Sequence, residues 1–367
     1  MMRKLLSILA TCTIAFLATP SVASPPVYRS IDYPGATSTF PVAVNGRVIV
    51  GSYLDANGFS HGFILSRGTF APIDAPGAGG APAQVTPAIT IPLPRQGTFP
   101  VGIGGSTEIA GYSVDASHVY HGFVRSEDGE MTSIDIPGAI NLPGGGTQVT
   151  AINQEGELVG SYRVASLFGW PFFPIRGFFR TSRGQISLFD FPGSQDTAAL
   201  AINDNGEIAG AEGFPFFHPF YRSSSGVFAS IDGIPAGPVG AAVGINERRE
   251  IVGTYVDFTF VGHGFFRSSS GQVTTFDPPG SRSTAPQSIN EHGEVVGSYL
   301  DANNVHHGFF RSPDGAFTQI DVPGASQTQG GGTQASAISE DGDIVGTYAD
   351  VNGTFHGFLR NHESAED

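Results

Sequence analysis

Histidine and aspartate recur in this sequence at a spacing that suits hydrogen-bonded pairs. Each histidine of the set lies 13 or 14 residues before an aspartate, and a turn lies at the midpoint of the interval. In an antiparallel hairpin centred on that turn, the two side chains fall opposite each other on one face. The predicted pairs are His61 with Asp74, His121 with Asp135, His218 with Asp232, His263 with Asp277, and His307 with Asp321.

Two further pairs extend the pattern. Arg176 stands 14 residues before Asp190, so this aspartate keeps a cationic partner where histidine is missing. His356 would meet Asp32 if the two ends of the chain lie side by side. A His-Asp pair is half of a catalytic triad, which makes hydrolysis one interpretation. Repetition favours the other, a structural pair in every repeat, because an enzyme needs only one site.

The pairs belong to a repeat that runs from Tyr28 to Arg360. An Asp-x-Pro-Gly element starts at Asp32, Asp74, Asp135, Asp190, Asp277 and Asp321, with a degenerate copy at Asp232. A His-Gly-Phe element starts at His61, His121, His263, His307 and His356, with variants at Arg176 and His218. Successive copies are 42 to 61 residues apart, and Gly, Pro, Asn and Asp separate short apolar runs. This pattern predicts four β-strands per repeat.

The predicted fold is an all-β, seven-bladed β-propeller of four-stranded antiparallel blades. The second strand of each repeat is apolar with little alternation, as expected when both faces of a blade pack against neighbouring blades. The chain opens with a lone fourth strand at Tyr28–Gly35 and ends with a third strand at His356–Arg360 that has no fourth. Pairing of these N-terminal and C-terminal strands would close the ring and remove exposed edges.

The repeat motif also resembles a known family. His-Gly-Phe follows a strand that ends in Gly-Ser/Thr-Tyr, and Ile-Asn-x-x-Gly-Glu precedes that strand, as at Ile289 and Asn290. This pattern resembles the bacterial extracellular repeat family named for its His-Ala-Phe tripeptide, the HAF repeat, with Gly in place of Ala. The resemblance implies secretion and a repeat fold, and the family carries no settled activity to transfer.

The N-terminus has the features of a secretory signal. Arg3 and Lys4 precede an apolar run from Leu5 to Leu17, and Ser21-Val22-Ala23 is a small-residue cleavage site. We expect residues 1–23 to be a signal peptide and residues 24–367 to be a single propeller domain, located in the periplasm or outside the cell. The apolar run is too short to span a membrane and nothing comparable follows, so no membrane span is expected.

Composition excludes several classes of function. The formal net charge is −15, which disfavours nucleic acid and anionic lipid as partners. Lys4 is the only lysine, so the mature chain lacks the amine that a P-loop or a Schiff base needs. The single cysteine, Cys12, leaves with the signal, which removes any disulfide or thiol nucleophile. We expect a monomer.

Three turns resemble the start of a calcium loop. They are Asp55-Ala56-Asn57-Gly58, Asp301-Ala302-Asn303 and Asp350-Val351-Asn352-Gly353. The glutamate that such a loop carries eleven residues later is replaced by Ser66, Ser312 and Asn361. Asn-Gly is also a favoured hairpin turn, so the sequence favours tight turns over calcium sites. We therefore predict no cofactor and no metal site, with calcium in these turns as the less favoured alternative.

Departures from the repeat are the best candidates for a ligand site, because a site breaks symmetry. Two loops between second and third strands carry aromatic clusters, and an insertion runs from about Gly79 to Gln96 and includes Pro92–Arg95. The aromatic residues are Phe168, Trp170, Phe172, Phe173, Phe214, Phe216 and Phe217. Both kinds of loop emerge on the same face of a blade, so they would form one rim. Such a rim suits stacking on sugars or apolar groups, although the loops could instead bury their own rings.

The sequence thus predicts a secreted, non-enzymatic binding or interaction module that uses this aromatic rim, with an unknown glycan or protein as its ligand. One alternative is a periplasmic or extracellular hydrolase or lyase that acts on a polymer. In that case His118, Arg176 and Glu212 would supply the acid-base groups. A second alternative is a purely structural cell-surface repeat protein, in which the aromatic loops are inaccessible.

Overall fold

The computed structural model describes residues 26–79, 95–165, 173–213, 215–235 and 237–361. The expected signal peptide, most of the insertion after Asp74, and Phe168, Trp170, Phe172 and Phe214 lie outside these ranges. The described residues contain 28 β-strands and no helix. No segment of the described chain is therefore a helix with the length and apolar character needed to cross a membrane.

The strand bounds follow the turn residues of the sequence. In chain order the strands are β1 (Tyr28–Ile31), β2 (Ser38–Asn45), β3 (Val48–Leu54), β4 (Ser60–Ser66), β5 (Thr69–Ile73), β6 (Gly97–Ile103), β7 (Ile109–Val114), β8 (Tyr120–Arg125), β9 (Met131–Ile134), β10 (Thr147–Ile152), β11 (Leu158–Arg163), β12 (Ile175–Arg180), β13 (Ile186–Phe189), β14 (Thr197–Ile202), β15 (Ile208–Glu212), β16 (His218–Arg222), β17 (Phe228–Ser230), β18 (Val239–Ile245), β19 (Ile251–Val256), β20 (Gly262–Arg267), β21 (Val273–Phe276), β22 (Ser283–Ile289), β23 (Val295–Leu300), β24 (His306–Arg311), β25 (Phe317–Ile320), β26 (Gly332–Ile338), β27 (Ile344–Ala349) and β28 (Phe355–Arg360).

The strands form antiparallel groups of four, as the repeat predicts. Strands β10–β13, β14–β17 and β18–β21 are separate four-stranded sheets in chain order. Two larger sheets each join two such groups through a single parallel bridge, between Ser60 and Gly97 in one and between His306 and Gly332 in the other. We call each group a unit and its successive strands A, B, C and D. The first unit is β2–β5 and the second is β6–β9.

The first strand of the chain lies beside the last. Strand β1 pairs antiparallel with β28, from Tyr28 opposite Arg360 to Ile31 opposite Gly357. It therefore serves as strand D for the unit that begins at β26. Ile31 is buried in one cluster with Phe63 of the first unit and Val345 of β27. Side chains from both ends of the chain thus share one part of the core.

A buried phenylalanine on a glycine is the packing element common to all units. The phenylalanine of the His-Gly-Phe element in strand C is almost completely buried in every copy: Phe63, Phe123, Phe178, Phe220, Phe265, Phe309 and Phe358. Its ring lies over a glycine of strand B, and in the first unit this is Gly51. A methyl group at Gly51 would stand 2.8 Å from the Phe63 ring and 2.2 Å from the Phe40 carbonyl oxygen. Only glycine fits between the ring and strand A.

The turns between strands A and B connect neighbouring units. Asn153 donates its side-chain N–H to the Asn203 carbonyl oxygen at 2.9 Å, and Asn203 donates likewise to the Asn246 carbonyl oxygen at 3.0 Å. Asn246 continues the series with the Asn290 carbonyl oxygen at 3.1 Å. Because these amides are buried, their hydrogen bonds fix the spacing between successive units. This explains the Asn that ends each Ile-Asn element.

The packing of Ile31 predicts that β1 is part of the cooperative fold. Truncation by Ile31→Ala removes a buried side chain and should lower the free energy of unfolding by about 2–5 kcal/mol. Val27 lies one residue before the strand and is exposed, so Val27→Ala should change the free energy of unfolding by less than about 0.5 kcal/mol. Urea unfolding of the two variants measures both values. Equal, small effects would show that the N-terminal strand does not contribute to the core.

Candidate functional site

The repeated histidines lie within hydrogen-bond distance of their aspartates across the hairpin of strands C and D. In the first unit Gly62 is opposite Ile73, and this register brings His61 and Asp74 together. The distances from Nδ1 to the nearest carboxylate oxygen are 2.8 Å for His61–Asp74, 2.9 Å for His121–Asp135, 2.8 Å for His263–Asp277, 2.9 Å for His307–Asp321 and 2.8 Å for His356–Asp32. Arg176 Nη1 lies 2.6 Å from an Asp190 oxygen.

The pair predicted between His218 and Asp232 is the exception. Both residues are described, and no hydrogen bond or ion pair joins them. Strand β17 ends at Ser230, two residues before Asp232, and Gly233 follows with a φ of +92°. The hairpin nevertheless keeps its register as far as Ile231, whose N–H donates to the Pro219 carbonyl oxygen at 2.9 Å, so the difference arises at Asp232 and Gly233. The degenerate Asp-Gly-Ile-Pro sequence at this position explains the difference.

A second carboxylate, which sequence reasoning missed, lies on the other side of each histidine ring. It comes from the turn between strands B and C, six residues before the histidine. The Nε2 to Oδ2 distances are 3.9 Å for His61–Asp55, 3.4 Å for His121–Asp115, 3.7 Å for His263–Asp257, 3.8 Å for His307–Asp301 and 3.8 Å for His356–Asp350. The constant spacing of six residues was the signal in the sequence.

The same aspartates organise the turns that resemble calcium loops. Asp55 Oδ1 accepts the backbone N–H groups of Asn57 at 2.9 Å and Phe59 at 2.8 Å. Asp301 and Asp350 repeat this arrangement in their own turns. The carboxylates thus close tight turns, and the described residues contain no group of three or more side chains suited to hold a metal ion.

A tyrosine of strand B covers the histidine ring in four of the units. The ring pairs are Tyr53–His61, Tyr255–His263, Tyr299–His307 and Tyr348–His356, with centroids 5.0–5.2 Å apart and nearly parallel planes. In these four units both ring nitrogens of the histidine face a carboxylate and one ring face lies under a tyrosine, although His61 also lines a cavity of about 350 Å³ with Asp55 and Asp74. The geometry of these four sites is that of a structural clasp between strands.

The three residues of the enzyme alternative belong to three different units. His118 is buried in the turn between β7 and β8, with its Nε2 3.4 Å from Gln96 Nε2. Arg176 lies in β12 and is paired with Asp190. Glu212 ends β15, where its backbone is opposite His218. Each of the three thus occupies its own local environment on a separate sheet.

The structure describes three of the seven predicted rim residues and shows two further exposed rings. Of the predicted residues inside the described ranges, Phe173 is buried and Phe217 is half-buried, whereas Phe216 is 54% exposed. Two further rings, which sequence reasoning did not select, protrude from the turn between β19 and β20. Phe258 is 70% exposed and Phe260 is 83% exposed. We call Phe216, Phe258 and Phe260 the Phe rim.

Backbone pairing links the two segments that carry the Phe rim. Phe217, next to Phe216, forms a parallel bridge with Val239. Val239 is opposite Val256 in the next hairpin, and Phe258 follows two residues later. The signal in the sequence was a substitution: Phe-Thr-Phe follows Asp257, where other units have Ala-Asn-Gly or a close variant.

Phe260 has a backbone conformation that disfavours its side chain. Its φ is +63°, in the left-handed region. The equivalent turn positions also have positive φ and are occupied by Gly58, His118, Asn304 and Gly353, so Phe260 is the one apolar side chain among these five turns. A bulky residue in this region is strained by about 1 kcal/mol or more. Asp257 Oδ1 accepts the N–H groups of Thr259 and Val261 and so holds the turn in place.

Comparison with known proteins identifies the fold. No family model matches the chain, and no curated protein matches it significantly. The virginiamycin B lyase from Staphylococcus aureus is 11% identical with a TM-score of 0.54, covering 92% of this chain and 99% of that one. The BP39L lectin from Burkholderia pseudomallei is 12% identical with a TM-score of 0.55, covering 90% and 98%.

A third similar structure is the β-propeller domain of the Trilobed protease from Pyrococcus furiosus. It is 8% identical with a TM-score of 0.55, and the alignment covers 89% of this chain and 96% of that one. At these identities the likeness shows the fold alone. The chain is an all-β protein of four-stranded antiparallel sheets with the fold of β-propeller proteins.

The environment of His121 predicts a specific pH dependence of stability. Burial lowers the pKa of His121. The hydrogen bonds that its ring N–H groups donate to Asp135 and Asp115, together with the negative charges of these carboxylates, outweigh burial and raise the pKa above 6.5. A histidine with a raised pKa stabilises the fold most below its unfolded pKa and loses this contribution as pH rises through the folded pKa. His121→Asn should therefore destabilise the protein more at about pH 5 than at about pH 8.5, as measured by urea unfolding.

His306 provides the control of opposite sign. Burial and the neighbouring His307 lower the pKa of His306, so its contribution is present at high pH and lost as pH falls. His306→Asn should thus destabilise the protein less at about pH 5 than at about pH 8.5. If His121→Asn follows the same pH trend as His306→Asn, Asp115 and Asp135 do not control the pKa of His121.

Proposed function

We propose that this protein is a secreted, non-enzymatic binding module that recognises an extracellular glycan through the Phe rim. The observation that carries the proposal is Phe260, a bulky apolar side chain that is both highly exposed and held at a positive φ. Neither feature stabilises the folded chain. A strained and exposed residue of this kind is best explained by contact with a ligand.

The proposed architecture is a closed seven-bladed propeller. Support comes from the seven copies of the Asp-x-Pro-Gly element, including the degenerate copy, and from the pairing of β1 with β28. The HAF-type repeat and the N-terminal signal pattern of residues 1–23 support export and an extracellular repeat protein. Export would place the Phe rim where glycans of cell surfaces and matrices are found.

The chemistry of the rim favours a neutral carbohydrate chain. Phenylalanine rings offer flat apolar faces on which the C–H face of a sugar ring can stack. The chain has a formal net charge of −15, which disfavours polyanions. The similar structures include a lectin, which is consistent with sugar binding on this fold, and a lyase, which is equally consistent with the enzyme alternative. A protein ligand would use the same rim, and the binding experiment below distinguishes the two.

The two alternatives have less support. A hydrolase or lyase that uses His118, Arg176 and Glu212 would draw its groups from three different units, and one of the three, Arg176, is already engaged by Asp190. A purely structural repeat protein would bury its aromatic loops. Phe216, Phe258 and Phe260 are exposed, and this favours a binding role.

The decisive variant is Phe260→Gly, which should separate stability from binding. Glycine adopts the φ of +63° without strain, so the free energy of unfolding should rise by about 1 kcal/mol. Removal of the ring should at the same time weaken retention on neutral polysaccharides by about tenfold or more. Urea unfolding and affinity electrophoresis in polysaccharide gels measure the two effects.

Val351→Ala is the matched control, because Val351 is exposed in the equivalent turn of another unit. Val351→Ala should leave the free energy of unfolding and the retention on neutral polysaccharides unchanged within experimental error. Loss of binding with no gain in stability would contradict the strain argument. Retention of no neutral polysaccharide by the natural protein, or equal retention of Phe260→Gly, would refute glycan binding by the Phe rim.

A further inference from the structure

The second unit departs from the repeat by exchanging two neighbouring residues of strand B. In the other units with a tyrosine in this strand, the order is Gly-Ser/Thr-Tyr, as in Gly51-Ser52-Tyr53, but the second unit reads Gly111-Tyr112-Ser113. Successive side chains of a strand point to opposite faces. Tyr112 therefore turns away from the histidine and stacks on Phe99, with centroids 5.1 Å apart. Ser113 takes the place opposite His121.

A second small residue enlarges the space that this exchange opens. In the first unit Tyr53 stacks on Tyr33, which follows Asp32 in the Asp-x-Pro-Gly element of the preceding unit. The centroids of these rings are 3.7 Å apart, and they fill the seam between the two units. In the next seam the corresponding residues are Ala75 and Ser113. Two tyrosine rings are thus replaced by a methyl and a hydroxymethyl group.

The result is a cavity of about 350 Å³ between the first and second units, which we call the seam pocket. It is lined by Ala75, Pro76, Gly77, Ser113, Asp115, His121, Gly122, Phe123, Met131, Ser133 and Asp135. Its volume falls within the range of pockets that hold small ligands. No tyrosine covers His121, in contrast to the four histidines that lie under a ring.

The polar groups of the seam pocket form a fixed array of acceptors. Asp135 Oδ1 lies 2.9 Å from His121 Nδ1, and its Oδ2 accepts the Ser133 hydroxyl at 2.7 Å. On the other side, Asp115 Oδ2 lies 3.4 Å from His121 Nε2. Both carboxylates and the imidazole remain partly exposed to the pocket. Because Nε2 faces Asp115, His121 is not arranged as a base for Ser113, and the array suits binding and not acyl transfer.

We propose that the seam pocket binds one pyranose ring of a neutral sugar. Carboxylate oxygens with free lone pairs accept hydrogen bonds from sugar hydroxyls. Pro76 and Met131 supply an apolar wall for the C–H face of the ring. Two carboxylates beside a single imidazole leave the pocket acidic, so it excludes uronic acids and other anions. This site is separate from the Phe rim, and its existence does not depend on the rim.

The last unit offers a matched control in the same molecule. There Ser30 Oγ donates to Asp32 at 2.6 Å, Asp32 lies 2.8 Å from His356 Nδ1, and Asp350 lies 3.8 Å from His356 Nε2. This quartet repeats the polar groups of the seam pocket. The difference is Tyr348, whose ring covers His356.

The test is isothermal titration calorimetry of the full chain with the methyl pyranosides of glucose, galactose, mannose and N-acetylglucosamine, and with methyl glucuronide as the anionic probe. At least one neutral pyranoside should bind with a dissociation constant on the order of 1 mM. Asp135→Asn should weaken this binding by about tenfold or more, because it removes a charged acceptor. Ser113→Tyr should abolish it by refilling the pocket.

Asp32→Asn should leave the affinity unchanged, because its quartet lies under Tyr348. Circular dichroism melting checks the fold of each variant, and the isosteric Asp135→Asn decides the outcome if Ser113→Tyr does not fold. The proposal is overturned if no neutral pyranoside binds, if methyl glucuronide binds more tightly than all of them, or if Asp135→Asn and Asp32→Asn have equal effects.

Discussion

The phenylalanine ring of strand C, held flat on a glycine of strand B, is the contact on which every unit depends. A methyl group at that glycine would stand 2.0–2.4 Å from a backbone oxygen of strand A and 2.4–3.0 Å from the ring. Native packing leaves no space to absorb such an overlap. The contact therefore fixes three strands relative to one another. It accounts for the two most regular motifs of the sequence, Val-Gly-Ser-Tyr and His-Gly-Phe.

Regular packing also explains why most of the polar residues that suggest chemistry are structural. The His-Asp pairs were predictable, because strand alternation and a turn at the midpoint fix which residues face each other. The second carboxylates, such as Asp55, were not inferred, although their spacing of six residues is constant. The absent pair of His218 and Asp232 shows the limit of the approach. The hairpin keeps its register up to Ile231, and the chain diverges at Asp232 and Gly233, where the Asp-x-Pro-Gly motif is degenerate; the conformation at this point is not visible in the spacing.

The sites that break the symmetry were harder to find from sequence. Attention went to long loops with clustered aromatics, whereas the structure draws attention to substitutions inside turns and strands of ordinary length. Phe260 occupies a turn position that is glycine in two other units and histidine or asparagine in two more, and the order of Tyr112 and Ser113 is reversed. Both changes preserve the motif spacing. Their consequences, a strained exposed ring and an open seam, depend on backbone conformation and on which face a side chain takes.

The central claim is that ligands bind where a unit departs from the repeat, and not at the equivalent positions of the regular units. Crystallographic screening with a library of small sugars and aromatic-stacking fragments tests this directly, because each unit serves as an internal control. The account predicts that bound fragments concentrate in the seam beside Ser113 and at Phe258 and Phe260. Fragments distributed evenly over the equivalent seams and turns of all units would contradict it.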